Sequence, residues 1–225
     1  MGSIAKGWPR QGAGPVRIWD LPTRLFHWAL AALVTFSFFS AKVGGAWIQW
    51  HFYSGYTVLT LILFRLLWGF AGSRYARFET FLRGPRAIAS YLRSGATIAG
   101  HNPLGALAVL VILLCLLLQG ITGLFATDDI ASEGPLMKLV SNSTGALLTR
   151  IHRWNQKALI ALTVLHVAAV LYYLLVKRSN LIVPMLTGDQ HVHGATAAED
   201  SRATRIRAAL LLAIAAGLVG YVVNL

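Results

Sequence analysis

Two histidines lie fourteen residues apart in one apolar stretch, IHRWNQKALIALTVLHVAAVLYYLLV, which spans residues 151–176. An α-helix turns about 100° and rises about 1.5 Å per residue, so His152 and His166 share nearly one face and lie about 21 Å apart along the axis. That separation is most of the ~30 Å hydrocarbon thickness of a bilayer. Two imidazoles at two membrane depths could hold two cofactors, and the alternative is two unrelated histidines, one interfacial and one in the core.

The composition indicates a polytopic helical membrane protein. Of the 225 residues, 56% are hydrophobic and only 12% are charged, which is more apolar than a soluble domain. Several stretches are long enough to cross a bilayer as helices. The predicted spans are residues 25–43, 51–72, 103–125 and 151–176, followed by a fifth apolar run at 208–224.

These spans predict an all-α integral membrane protein, with a four-helix transmembrane bundle and a fifth C-terminal transmembrane helix. The chain divides into an N-terminal segment (1–24), a transmembrane domain (25–188) and a polar linker with the extra helix (189–225). Residues 84–94 are predicted as a short basic surface helix, and residues 126–150 as a mixed loop.

The net charge of +12 comes from basic residues beside the apolar spans, which favours contact with lipid headgroups over nucleic-acid binding. Lys and Arg concentrate before the first span, in 73–102 and in 177–207, so we expect a cytoplasmic N-terminus. The first 25 residues lack the apolar core of a cleavable signal peptide, so the first span is expected to act as an uncleaved anchor. The single cysteine, Cys115, excludes an intrachain disulfide, and no C-x-x-C-H motif for covalent haem is present.

Four histidines fall into two pairs when each is given a depth from its place in the predicted spans. His27 begins the first span on the cytoplasmic side, and His166 lies toward the cytoplasmic end of the fourth. His51 and His152 begin the second and fourth spans on the outer side. Random placement would seldom match depths in this way, so the pattern favours one paired site near each membrane surface.

Two facing imidazoles in a helix bundle are typical axial ligands of a b-type haem. Zinc and copper usually need three or four ligands at one depth, and the predicted spans contain no carboxylate. The pattern therefore favours two noncovalent haems b, an outer one between His51 and His152 and an inner one between His27 and His166. A bis-histidine iron has no open coordination position, which favours one-electron transfer over oxygen binding.

Basic side chains near both predicted sites are candidate partners of the haem propionates. Arg65 lies fourteen residues after His51, on nearly the same face but at the inner depth. It either pairs with an inner-haem propionate or snorkels to the surface as an interfacial cation. Arg150, Arg153 and Lys157 have the same two interpretations at the outer surface. Gly55, Gly105 and Gly120 would let a flat ring approach a backbone, or they are plain helix contacts.

Two such irons about 20 Å apart along the membrane normal would form an electron path across the bilayer. A lipid-soluble quinone, either ubiquinone or menaquinone, is expected at one end, and a water-soluble redox protein or small oxidant at the other. His101, in GHNPLG, is a candidate contact for the quinone or for a propionate, or else an ordinary helix-start residue. His191 and His193 are expected to be solvated. The direction of electron flow is not fixed by these features.

Several stretches match a known family. They are VRIWDLPTRLFHW, WHFYSGY, FRLLWG, GHNPLGAL, IHRWNQKALIALTVLHVAAVLYY and KRSNLIVPMLTG, and they cover about residues 16–188. With these motifs the chain resembles the prokaryotic cytochrome b561 family, which includes the b-type cytochrome subunit of nickel–iron hydrogenases. The resemblance implies a four-helix core in the bacterial inner membrane, with two haems b ligated by the histidines that match here as His27, His51, His152 and His166.

The resemblance also implies electron exchange between membrane quinone and a periplasmic-side partner. Some members anchor hydrogenase-like enzymes, others are expected to serve a cytochrome c, and at least one kind passes electrons from superoxide to quinone. An electron-transfer protein, an anchor subunit of an oxidoreductase and a quinone-linked oxidoreductase therefore remain alternatives. A transporter that uses histidines for metal ions or protons is a further one. Residues 189–225 depart from the family pattern.

Overall fold

Five long apolar helices dominate the computed structural model, which describes residues 14–82, 84–94 and 98–225. In chain order the elements are β1 (Val16–Arg17), α1 (Leu21–Val43), α2 (Ile48–Ala71), α3 (Phe78–Phe81), α4 (Pro85–Ser94), α5 (Pro103–Gly123), α6 (Asn142–Leu175), α7 (Ile182–Thr187), β2 (Asp189–Gln190) and α8 (Arg202–Val223). Helices α1, α2, α5, α6 and α8 are each long and apolar enough to cross a membrane. The predicted all-α membrane class is confirmed, and residues 1–13 of the predicted N-terminal segment lie outside the described residues.

The five long helices give the bundle two ends. We call the end that holds the first turn of α1 the N-terminal face; α3, α4, α7 and the β1–β2 pair also lie there. The other end, which holds the first turn of α2 and of α6, is called the opposite face. The short helix expected at residues 84–94 is present as α4, which begins at Pro85.

Helix α2 is the centre of the packing. It lies along α1, α5 and α8, and 44% of its apolar span is buried, compared with 6% for α6. The main core cluster joins Ile62 and Trp68 of α2 to Leu113 of α5, Leu159 of α6 and Ala215 of α8. Helix α6 packs along α5, and within the described part of the chain it has no extensive backbone contact with α1 or α2.

Three long helices begin earlier than the apolar pattern predicts, because polar residues cap them. Asp20 caps α1, whose first turn contains Pro22. Ser141 caps α6, so the predicted loop 126–150 ends nine residues sooner than expected and His152 lies about 15 Å inside the helix. Ser201 caps α8, which places Arg202, Arg205 and Arg207 inside the helix rather than in the polar stretch. The helical spacing of apolar residues does not reveal the first turn of a helix, because the residues of the capping turn are polar.

The segment before α1 and the segment after α7 are tied together at the N-terminal face. Strand β1 pairs antiparallel with β2, and the amides of Ile18 and Trp19 both donate to the carbonyl of Gly188, at 2.8 and 3.0 Å. Gly188 has φ +95°, and a Cβ there would lie 2.7 Å from the Trp19 carbonyl oxygen, so the turn requires glycine. Arg17 adds ion pairs to Asp189 and Asp200, each at 2.7 Å.

A buried carboxylate joins α1 to α2 beside this contact. Asp20 is fully buried, accepts a hydrogen bond from the Thr23 amide at 2.6 Å and accepts a second from the Ser73 hydroxyl. The Trp68 indole N–H donates to the Thr23 hydroxyl at 3.2 Å. Asp20 therefore caps α1 and, through Ser73, fixes the start of α1 against the end of α2, while Trp68 adds a hydrogen bond to Thr23 in the first turn of α1.

Replacing Asp20 with alanine removes both acceptor oxygens and leaves the Thr23 amide and the Ser73 hydroxyl buried without a partner. We expect a loss of about 1–3 kcal/mol in the free energy of unfolding. Asp20→Asn retains a capping oxygen and is the matched control, with a smaller loss. Unfolding in detergent by titration with sodium dodecyl sulfate, followed by circular dichroism, measures both. Equal losses in the two variants would contradict the capping role.

Candidate functional site

His27 of α1 faces His166 of α6 in the half of the bundle near the N-terminal face. Their ring centroids are 6.4 Å apart, with an interplanar angle of 54°. The Nδ1 atom of His27 is buried, and no described residue forms a hydrogen bond with it. We call these two residues the N-terminal pair. The two rings face each other between α1 and α6, and these two helices do not pack closely against one another.

His51 of α2 faces His152 of α6 near the opposite face. Their ring centroids are 6.3 Å apart, and the rings are nearly perpendicular at 87°. We call these two residues the opposite-face pair. The structure therefore brings together the two sets of histidines that were matched by depth, and α6 contributes one ring to each pair.

Backbone carbonyls orient both rings of the opposite-face pair. A carbonyl oxygen only accepts, so the Nδ1–H of His51 donates to the Ser37 carbonyl, and the Nδ1–H of His152 donates to the Gln119 carbonyl, both at 3.0 Å. Each neutral ring then carries its lone pair on Nε2. This tautomer is the one in which the Nε2 atom of each histidine can ligate a metal.

Gln119 and Asn155 are site residues that the sequence analysis missed. The Gln119 amide donates to His152 Nε2 at 3.0 Å, and Asn155 donates to the Gln119 side-chain oxygen at 2.6 Å and to the Cys115 carbonyl at 2.8 Å. Asn155 is buried. It follows His152 by three residues in an apolar helix, which was the signal available in the sequence. A metal on His152 Nε2 requires the Gln119 amide to turn aside.

The spacing of the rings fits a metal held between them. An imidazole nitrogen binds a metal ion at about 2 Å, so two imidazoles that share one metal ion have ring centroids roughly 6 Å apart. Both pairs match this distance. Within the described residues no group of three or more His, Cys, Asp or Glu is placed to hold a metal ion. The two-ligand sets fit the iron of a haem.

Two of the glycines considered as cofactor contacts have different surroundings. A Cβ on Gly55, one turn after His51, would meet nothing within 4 Å, so open space lies on that side of α2. A Cβ on Gly120 would lie 2.9 Å from a methyl group of Leu59, so Gly120 serves the contact between α5 and α2. Gly55 therefore suits the approach of a planar ring, whereas Gly120 is a helix-packing residue.

Arg65 is buried near the N-terminal pair, with 2% of its surface exposed. Its guanidinium lies over the rings of Phe78 and Phe81, at 5.2 and 5.7 Å from their centroids. Its Nη1 atom has no hydrogen-bond partner, and none of the ion pairs among the described residues includes it. A side chain this buried does not snorkel to the surface. A buried cation without a carboxylate partner suits an anionic group such as a haem propionate.

His101 lies between the rings of Trp19 and Phe81, with both centroid distances at 4.7 Å. Its Nδ1 atom is buried and has no hydrogen-bond partner among the described residues. Burial lowers the pKa of His101, and the positive charges of Arg65, His27 and His166 act in the same direction, so that together they bring this pKa to about 3. His101 therefore stays neutral at physiological pH and lies within electrostatic reach of the N-terminal pair. It also lines a cavity of about 630 Å³ at the N-terminal face.

A second, smaller cavity of about 360 Å³ lies at the opposite face. Arg150, Arg153 and Lys157 of α6 line it, together with Asp129 and Trp154. The Lys157 ammonium lies 4.0 Å from the Trp154 ring centroid. These cations are on the solvent-accessible side of α6, in the same half of the bundle as the opposite-face pair.

Comparison with known proteins gives one match. The family model described as prokaryotic cytochrome b561 matches residues 18–188, which is more than half of the chain. The match includes all four paired histidines, Arg65 and His101, and it ends before α8. No curated protein and no solved structure matches the chain.

The low pKa of His101 makes stability depend on pH. The pKa in the folded chain, about 3, is below the ordinary value of 6.5, so the unfolded chain binds more protons between these values. The free energy of unfolding therefore has its full value above pH 6.5 and decreases as the pH falls from 6.5 toward 3. Relative to His101→Gln, the wild type should lose up to about 1.4 kcal/mol per pH unit below 6.5. Parallel curves of unfolding free energy against pH for the two proteins would contradict this.

Proposed function

Because this chain belongs to the prokaryotic cytochrome b561 family, whose members are membrane proteins that bind b-type haem and transfer electrons, we propose that it moves electrons across the membrane with two haems b. The N-terminal pair, His27 and His166, would hold one haem. The opposite-face pair, His51 and His152, would hold the other. Each haem supplies a one-electron couple when bound.

The observation that carries the proposal is the pair of ring separations, 6.4 and 6.3 Å, at two depths of the bundle. Both separations leave room for one metal ion between two imidazoles, and His152 and His166 lie about 21 Å apart along α6. With all four histidines as ligands, a bound haem would have no open position for oxygen, and electron transfer is the chemistry it would supply. Arg65 is the proposed partner of a propionate at the N-terminal pair.

The exchange partners follow from the two ends of this path. A membrane quinone, ubiquinone or menaquinone, is the proposed two-electron partner. His101 is a proposed contact for the quinone headgroup or for a propionate at the N-terminal face, because its neutral ring carries an unpaired buried nitrogen. A redox partner on the periplasmic side, either a cytochrome c or a subunit of an oxidoreductase, exchanges electrons at the opposite face.

The cavity lined by Arg150, Arg153 and Lys157 favours a second candidate function. Three cations in the same half of the bundle as the opposite-face pair would attract an anion, so a superoxide:quinone oxidoreductase is the second candidate function. The same cations would also attract an acidic partner surface, as in a membrane anchor subunit of a hydrogenase-like enzyme. Oxidation of superoxide by the purified chain without any partner would distinguish the two.

The ligand assignment is tested by haem content. The detergent-purified chain should show sharp low-spin b-type bands in a reduced-minus-oxidised spectrum, at two haems per chain. His27→Ala and His166→Ala should each lose the same haem, and His51→Ala and His152→Ala the other, which leaves about one haem per chain. His193→Ala, which replaces an exposed histidine, is the control and should retain both. Two low-spin haems in His166→Ala would refute the assignment.

We also propose that the N-terminal face is cytoplasmic, because Lys and Arg concentrate there, and that α8 is a fifth span. A reporter enzyme that is active only in the periplasm should be active when fused after Gly44 or after Leu225. It should be inactive when fused after Gln190. Activity after Gln190 would reverse the orientation, whereas inactivity after Leu225 alone would mean that α8 does not cross the membrane.

A further inference from the structure

The two histidine pairs differ in what surrounds their ligands. In the opposite-face pair, both rings donate from Nδ1 to a backbone carbonyl, that of Ser37 for His51 and that of Gln119 for His152. In the N-terminal pair, no described residue accepts a hydrogen bond from His27 or His166, and the Nδ1 atom of His27 is buried and unpaired. This asymmetry is not explained by electron transfer alone, which needs only the four ligands.

The hydrogen bonds change the electronic character of the ligands. An imidazole that donates its second N–H to a carbonyl becomes a more basic ligand. A more basic axial ligand stabilises the oxidised iron, and hydrogen bonding around the ligands is one of the means by which a protein sets a haem potential. The carbonyls of Ser37 and Gln119 would therefore lower the potential of a haem held by the opposite-face pair, and no described residue accepts a hydrogen bond from His27 or His166 in the same way.

Charge acts in the same direction at the other pair. Arg65 is a buried cation at the depth of the N-terminal pair, and Phe81 links it to His101, which in turn is within electrostatic reach of His27 and His166. A buried positive charge favours the reduced and less positive iron, and low local polarity strengthens the effect. A propionate paired with Arg65 would itself favour the oxidised iron, so the cation also offsets that influence.

Other charged groups do not reverse this order. Asp20 is within electrostatic reach of Arg65, but its oxygens accept from the Thr23 amide and the Ser73 hydroxyl, and it forms no ion pair with the guanidinium. At the opposite face, Arg150, Arg153 and Lys157 line an open cavity, where water and salt screen their charges. Arg24, one turn before His27 on α1, is a further cation at this end, but its guanidinium faces the Asp200 carboxylate at 4.0 Å. Arg65 is the more buried cation, and no ion pair among the described residues includes it.

We propose that the two sites have different potentials, with the haem at His51 and His152 the weaker electron acceptor and the haem at His27 and His166 the stronger one. Ser37, Gln119 and Arg65 are the positioning and charge-setting residues that establish the difference. The order favours electron movement from the opposite face toward the N-terminal face. This inference rests on the two-haem function proposed above and goes beyond it, because it assigns the direction of flow to named side chains and carbonyls.

A redox titration of the purified two-haem chain, followed by the visible spectrum, tests the order. We expect two one-electron steps whose electron affinities differ at least tenfold, which corresponds to about 59 mV. His152→Met should raise the lower step, because methionine–histidine ligation raises the potential, and should leave the upper step in place. If His152→Met loses its haem instead, the single remaining step should be the upper one of the wild type.

Arg65→Gln tests the contribution of charge. It should make the upper step at least about tenfold weaker in electron affinity, again about 59 mV, and leave the lower step unchanged. Arg153→Gln is the matched control, since it removes an exposed cation next to a ligand in sequence. It should move the lower step by less than a third of that shift, because its charge is screened.

Specific outcomes would overturn the inference. Two haems per chain with coincident steps, an effect of His152→Met on the upper step, or an effect of Arg65→Gln on the lower step would each refute the proposed order. Haem is quantified against protein in the same sample. One haem per chain would refute the two-haem function and the order with it, so the two failures are distinguishable.

Discussion

The architecture depends on how an apolar bundle accommodates four imidazoles and one guanidinium. Such groups are costly inside a membrane unless each one is paired or ligated. The opposite-face pair meets this constraint partly within the protein, through the carbonyls of Ser37 and Gln119. The N-terminal pair does not, since His27 Nδ1 and Arg65 Nη1 lack partners among the described residues. The haems proposed for these sites, each with an iron and two carboxylates, would supply the kinds of partner that these groups lack.

The long helices divide the structural and chemical roles between them. Helix α2 is the packing centre, and its buried side chains join α1, α5 and α8 into one core. Helix α6 carries one histidine of each pair and is the least buried of the five spans. A helix that packed tightly on α1 and α2 would leave no room for a macrocycle between the imidazoles. The low burial of α6 is consistent with the two haem sites that we propose beside it.

The N-terminal face is held by polar contacts between distant parts of the chain. Asp20 fixes the start of α1 against the end of α2, and Arg17 bridges Asp189 and Asp200. Asp200 also accepts from Arg205 in the first turns of α8, so the fifth helix is tied to the same cluster. The family match ends at residue 188, and these ion pairs lie just beyond it. The additional helix is thus integrated with the bundle through this cluster and through its packing on α2.

The sequence by itself determined the helical membrane class, the five spans and the grouping of four histidines by depth, because hydropathy and helical period depend only on the order of residues. It did not locate the starts of α1, α6 and α8, which are set by the caps Asp20, Ser141 and Ser201. Only the tertiary structure decided that Arg65 is buried rather than snorkelling and that Gln119 and Asn155 surround His152. Those contacts join residues on different helices, and their partners are fixed by how the helices pack, which no local pattern encodes.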